Sequence, residues 1–165
     1  MRRKDRQMDE DFALQVIDKC AYAVLSTVLP DGTPYGIPLS VARVGEDLYF
    51  HCAPAGRKLE GLLHNPAVSI ACVGDVTPRT DDFTTEFESA LIAGRAVRVT
   101  EDEEKIAALR AISLRYTPDN MDRFDDAVAR SLSRTDVWRV SMDQVTGKQK
   151  KYGPDGREIK SGISK

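Results

Sequence analysis

Residues 21–52, AYAVLSTVLPDGTPYGIPLSVARVGEDLYFHC, decide the fold, because they hold three strand-like runs punctuated by two sets of turn residues. Leu29-Pro30-Asp31-Gly32-Thr33-Pro34 carries strong turn chemistry, since proline presets one turn angle and glycine accepts positive φ. Gly45-Glu46-Asp47 does the same further on. The runs between them predict strands over Ala21 to Val28, about Tyr35 to Val44, and Leu48 to Cys52. In the second, Ile37, Leu39 and Val41 share one face. Three strands joined by tight turns read as an antiparallel meander. Pro38 removes a ladder donor from the second strand and marks an edge or a bulge there.

Upstream, Asp9 is placed to cap a short helix whose apolar positions Phe12, Ala13, Val16, Ile17 and Cys20 keep helical spacing. Downstream, Ala53-Pro54-Ala55-Gly56 breaks the sheet, and Arg57 to His64 predicts two turns of helix stopped by Asn65-Pro66. A strand is expected over Ala67 to Gly74, then a polar connector over Asp75 to Asp82. Phe83 to Val99 follows as the longest strand, with Phe83, Thr85, Phe87, Ser89, Leu91, Ala93, Val97 and Val99 on one parity. That length exceeds a usual strand and implies curvature, with Gly94 as the bulge or bend. Two helices are expected over Glu101 to Tyr116 and Met121 to Leu132, and a last strand over Thr135 to Met142. From Lys148 the chain is polar and basic, and Lys148, Lys150 and Lys151 read as a solvated run. The expectation is one domain over 1–152, mainly β, with five or six antiparallel strands in a small barrel and helices at its periphery. Residues 153–165 read as a mobile tail.

Composition narrows the function classes. The 165 residues suit a single core, and a net charge of -2 speaks against a nucleic-acid partner. No run reaches the roughly 20 apolar residues that span a bilayer, so no membrane role is expected. The basic start from Met1 to Arg6 has no apolar core behind it, which makes the cytoplasm the expected location. Cys20, Cys52 and Cys72 form no Cys-x-x-Cys pair and imply neither a zinc site nor a disulfide framework. His51 and His64 are the only histidines, so no metal site is expected. Difficult chemistry would need an organic cofactor.

Tyr35-Gly36-Ile37-Pro38-Leu39-Ser40, Leu48-Tyr49-Phe50-His51-Cys52 and Gly56-Arg57-Lys58-Leu59 occur in an order that resembles the pyridoxamine-phosphate-oxidase-like flavoproteins. Within that group the chain is most similar to the 5-nitroimidazole-resistance (Nim-type) proteins. Phe87-Glu88-Ser89-Ala90, Gly94-Arg95-Ala96 and Gly147-Lys148 add to the likeness, which runs from about Arg3 to Tyr152. The resemblance implies a six-stranded split β-barrel that pairs as a homodimer and binds FMN in each of two clefts between subunits. It implies that Pro38, Leu39 and Ser40 line the isoalloxazine edge and that the segment His51 to Lys58, with Cys52 inside it, lies near the phosphate. Ser89 and Trp138 match cleft-facing positions, from the same or the other subunit, and Lys148 is placed to reach the cofactor. Relatives often carry arginine where Glu88 stands, and a carboxylate cannot grip a phosphate.

The residues support part of this on their own. Gly56 lets the backbone approach an anion, and Arg57 and Lys58 at a helix start add charge-assisted hydrogen bonds. Taken alone, the same motif is an ordinary turn followed by solvated cations. His51 could donate a proton to a reducing group as a catalytic acid, or only hydrogen-bond the cofactor. Trp138 has a core reading beside its cofactor reading. The leading expectation is an FMN-dependent oxidoreductase passing electrons from NADH or NADPH to a small organic acceptor such as a nitroaromatic. The alternatives are oxidation of pyridoxamine phosphate, for which Arg139 is the one candidate second phosphate ligand, and non-catalytic flavin storage. Deazaflavin and haem are alternative occupants of the same barrel.

Overall fold

The computed structural model describes residues 2–160. After a turn of 3-10 helix (Lys4–Arg6) come β1 (Gln7–Met8) and α1 (Glu10–Lys19), whose cap Asp9 accepts from the Phe12 amide at 2.9 Å. The expected strands follow as β2 (Ala23–Val28), β3 (Pro34–Leu39), β4 (Val41–Val44) and β5 (Asp47–Cys52), then helix α2 (Arg57–His64). Beyond them lie β6 (Ala67–Arg79), β7 (Thr84–Arg98), α3 (Asp102–Tyr116) and α4 (Phe124–Ser131). The chain then forms β8 (Asp136–Ser141), β9 (Gln144–Tyr152) and β10 (Glu158–Ile159).

The strands curl into one antiparallel half-barrel in the order β3-β2-β6-β7-β8-β5-β4, with β9 on β7 and the short β1 and β10 on β9. This is a split barrel with peripheral helices, as expected, with more strands than six. Its core is the inner face. Val16 and Ile17 of α1 pack with Leu25, Ile70, Ala90, Ile92, Phe50 and Trp138, all almost fully buried. Each large apolar side chain withdrawn from water contributes about 1.5–3 kcal/mol, so this shared face holds α1 to the sheet.

Gly94 is where the barrel turns its corner. Up to that point β7 pairs with β9 (Phe87 to Ala93); beyond it, Ala96 to Arg98 pair with β8. A Cβ on Gly94 would stand 1.7 Å from the Ser141 carbonyl oxygen, so only glycine lets the chain pass over β7 there.

Four expectations need correction. The three-strand meander is two hairpins: β2 pairs with β3 and β4 with β5, while β3 and β4 do not pair. The break is at Ser40, where alternation slips and Val41 and Ala42 are buried in succession. Tyr116 of α3 clamps the kink, its hydroxyl donating to the Val41 carbonyl at 3.1 Å and accepting from the Val41 amide at 3.2 Å. Secondly, the polar connector over Asp75 to Asp82 is largely strand, β6 running to Arg79 with a register irregularity between Val73 and Val76. Thirdly, β8 is not the last strand, and Lys148, Lys150 and Lys151 lie in β9. Fourthly, the segment from Gly153 to Lys160 turns back through β10, and Glu158 grips Arg6 through two contacts of 2.6 and 3.0 Å. The rest of the expected tail, 161–165, lies outside the described residues.

Candidate functional site

Five of the expected ligand residues gather where β5 leaves the sheet. The β4–β5 register ends with Val41 opposite Phe50, so Ser40 and His51 are the residues next beyond that last pair. Cys52 follows, then the loop to Gly56, whose φ of +130° is left-handed backbone that favours glycine. No side chain caps α2, so its first amides are open to an anion, and Arg57 and Lys58 stand at that end. The Lys58 ammonium lies 5.5 Å from the Phe50 ring centroid, and the Arg57 guanidinium lies 5.7 Å from that of Tyr35 on β3.

His51 is solvent-exposed yet hemmed in by protein. Burial lowers its pKa, and the Lys58 ammonium lowers it further, so the imidazole is neutral near pH 7. Burial raises the Cys52 thiol, with Lys58 opposing. Two residues that sequence reasoning missed complete this end. Asp136 of β8 lies across the ladder from Cys52 and holds Arg98 at 2.6 Å, while its Oδ2 is buried without a partner. Only the pairing of β5, β7 and β8 brings these residues near Cys52, and no local pattern signals it.

The expected isoalloxazine edge behaves less uniformly. Pro38 stays in register with Val24 on the edge strand β3, where a missing donor faces no neighbour. Pro38 and Ser40 are exposed, whereas Leu39 is half-buried against the core. Across the outer surface of the sheet, Pro38 begins a row that continues through Val24, Ala71, Leu91 and Thr146. The neighbouring row, Gly36, Ser26, Ser69, Ala93 and Gln144, is equally uncharged. The long strand therefore turns its expected parity outward: Leu91 and Val97 are each about half exposed, while Ala90, Ile92 and Ala96 face the core.

Ser89 and Lys148 sit elsewhere. They pair with each other on β7 and β9, and the Lys148 ammonium lies 5.3 Å from the Phe87 ring centroid. His51 is level with Val137 and, through the bond from the Val99 amide to the Val137 carbonyl, with Val99. Ser89 and Val99 are ten residues apart along the chain, on either side of the Gly94 corner. Trp138 is 2% exposed in the core, between Phe50 and Arg98, so its core reading holds and its cleft-facing placement does not. Glu88 takes on structural work, accepting from Gln149 at 3.1 Å and pairing with Lys19 to tie α1 to the sheet. Arg139 is engaged by Glu104 at 3.0 Å and by Asp47.

Comparison with known proteins agrees with this fold. The pyridoxamine 5'-phosphate oxidase family matches residues 9–149. No curated protein sequence matches the chain. Among solved structures, a Bacteroides thetaiotaomicron protein named as a candidate for 5-nitroimidazole antibiotic resistance is 28% identical, with a TM-score of 0.74 over 87% of this chain and 86% of its own. A conserved hypothetical protein of Mycobacterium tuberculosis superposes with a TM-score of 0.75 at 19% identity, over 89% of this chain and 88% of its own. A flavocytochrome of Azotobacter vinelandii gives 0.73 at 22% identity, over 93% of this chain and 71% of its own. The last two share the fold.

Proposed function

The chain belongs to the pyridoxamine 5'-phosphate oxidase family, and from that premise we propose that it is an FMN-dependent oxidoreductase working as a homodimer in the cytoplasm. Electrons pass from NADH or NADPH to a small organic acceptor of the nitroaromatic kind. What supports this reading is the outer sheet face itself: the rows from Pro38 to Thr146 and from Gly36 to Gln144 carry no charge, Leu91 stays about half exposed, and Ser89 pairs with Lys148 at the margin of that face. In a two-fold dimer built on that face, Ser89 and Lys148 of one copy complete the His51 end of the other.

The residues fit a flavin mononucleotide. Gly56 with its left-handed φ, the open amides of α2 and the cations of Arg57 and Lys58 suit a phosphate. Pro38 and Ser40 on the exposed edge suit a flat ring that needs backbone partners and no charge. When bound, FMN supplies a ring that accepts hydride and returns electrons one or two at a time. The chain's own work is to hold and to shield. The neutral His51 would donate a hydrogen bond toward an acceptor over the ring, its pKa lowered first by burial and then by Lys58. The sheet face excludes water from the ring when the second copy covers it. Oxidation of pyridoxamine phosphate fits less well, because Arg139, its candidate second phosphate ligand, is already engaged by carboxylates.

The test is spectroscopic. Protein purified without added cofactor should show flavin absorbance that bleaches under anaerobic NADH or NADPH and returns with a nitroaromatic acceptor. Flavin that binds but resists every donor would support storage instead, and an absorbance typical of haem or deazaflavin would overturn the cofactor assignment.

A further inference from the structure

Cys20 and Cys72 belong to the same core cluster, and the proposed reaction uses neither. Cys20 caps the end of α1, three residues before Ala23, which pairs with Cys72 in the β2–β6 ladder. Each of the two side chains shifts the other's proton affinity, while the Cys20 thiol donates to the Ile17 carbonyl at 3.3 Å. Arg115 of α3 reaches into the same spot, its Nη2 donating to the Cys20 carbonyl at 2.7 Å and the Ile17 carbonyl at 2.8 Å, with Cys20 Sγ at 3.4 Å. A guanidinium held by two carbonyls beside a sulfur favours the thiolate over the thiol. Asp18 opposes this only weakly, being paired with Arg43 at 2.5 Å. The pair thus divides its protons unequally: the Cys20 thiol is lowered to about 6 by Cys72 and by Arg115, and Cys72 is raised.

Burial is the opposing consideration, since Cys20 is 2% exposed and Cys72 fully buried. Depth decides it. Arg115 is half-buried, and Ala21 and Tyr22 beside Cys20 are exposed, so Cys20 is the thiol whose covering side chain reaches solvent. Cys52 has the opposite character: it is more accessible, and burial raises its thiol.

We propose that Cys20 and Cys72 are a peroxide-reactive dithiol that closes to a disulfide, with Cys20 as the attacking sulfur and Arg115 as its positioning residue. The Cys20 thiolate attacks hydrogen peroxide; an S–O bond forms as the O–O bond breaks, leaving a sulfenic acid and hydroxide. Cys72 sulfur then attacks the Cys20 sulfur and loses its proton; the S–S bond forms and the S–O bond breaks to release water. In sum, two thiols are oxidised, one peroxide is reduced, and two waters leave. The bond would tie the end of α1 to β6 beside β2, the strand that carries Pro38 and Leu39 as its ladder partners. It does not depend on which cofactor the barrel holds.

Trypsin separates the three cysteines into peptides 20–43, 44–57 and 59–79, so mass spectrometry reads the outcome directly. The purified protein is treated with hydrogen peroxide, denatured in iodoacetamide and digested without reduction. The expected product is peptide 20–43 joined to peptide 59–79 within one chain, with 44–57 alkylated. Cys72→Ser should accumulate a Cys20 sulfenic acid that dimedone labels, and Arg115→Leu should slow closure at least tenfold at neutral pH. Full alkylation of all three peptides after peroxide, or a cross-link through Cys52, would overturn the proposal. An unchanged rate in Arg115→Leu would overturn the role of Arg115.

Discussion

The two faces of β7 both carry apolar residues, with different fates. Inward, Ala90, Ile92 and Ala96 meet α1 and the barrel core and lose nearly all contact with water. Outward, Ser89 and Arg95 stand among Phe87, Leu91, Ala93 and Val97, and Leu91 and Val97 stay half exposed. Exposed apolar side chains grouped on one sheet face mark a surface that a partner can cover. The chain covers one side itself, and the other is continuous with the uncharged rows that begin at Pro38 and Gly36. The outer face is the surface on which the proposed second copy and its flat ligand would sit.

Substitutions can break this comparison, and the inner side should respond most. Gly94→Val should abolish folded protein, because its Cβ would collide with backbone at Ser141; the cost should exceed the ~1–3 kcal/mol usual for overpacking. Soluble yield and circular dichroism check it, and a normal melting curve would contradict the corner. Leu91→Arg on the outer face should leave a folded protein but a monomeric one, with flavin retention lost, as read by light scattering and absorbance. Lys58→Ala should keep the dimer and weaken FMN on the order of tenfold, the loss of one charge-assisted bond to phosphate. His51 should titrate below its ordinary 6.5 in an NMR series, and Lys58→Ala should recover only part of the shift, since burial is the larger cause.

The smallest effect belongs to the β10 clip. The Arg6 guanidinium holds the Glu158 carboxyl at about 2 against an ordinary 4.5. Its stabilisation is therefore present above about pH 4.5 and is lost as pH falls toward 2. Glu158→Gln should lower stability by less than ~1 kcal/mol at pH 7, and the difference should vanish near pH 2.

Much of this was legible in the residues, and the exceptions have physical causes. The Asp9 cap, the bounds of α2 and the bend at Gly94 follow from local chemistry: a capping carboxylate, a proline stop, a missing Cβ. The kink at Ser40 was not legible, because splitting one apolar run between two hairpins depends on Tyr116, 75 residues away. β9 was hidden by its lysines. Flanked by β7 and β1, it satisfies its backbone in the ladder, while Lys148 and Lys150 rest against the Phe87 and Tyr152 rings, at 5.3 and 5.4 Å. Long cationic stems can cover apolar surface and erase the alternation that marks a strand. Of the candidate site, the His51–Lys58 end was legible from glycine, cations and order. The pairing of Ser89 with Lys148 was not, since it depends on β7 taking β9 as a neighbour.

Complementation between two defective variants tests the shared site most directly. Lys58→Ala and Lys148→Ala should each bind FMN poorly. Once the two are mixed and their subunits exchanged, half the dimers should be hybrids with one intact cleft, restoring about a quarter of wild-type binding. No recovery after exchange proven by mass would mean that both lysines serve a site within one chain, and the two-copy account would fail.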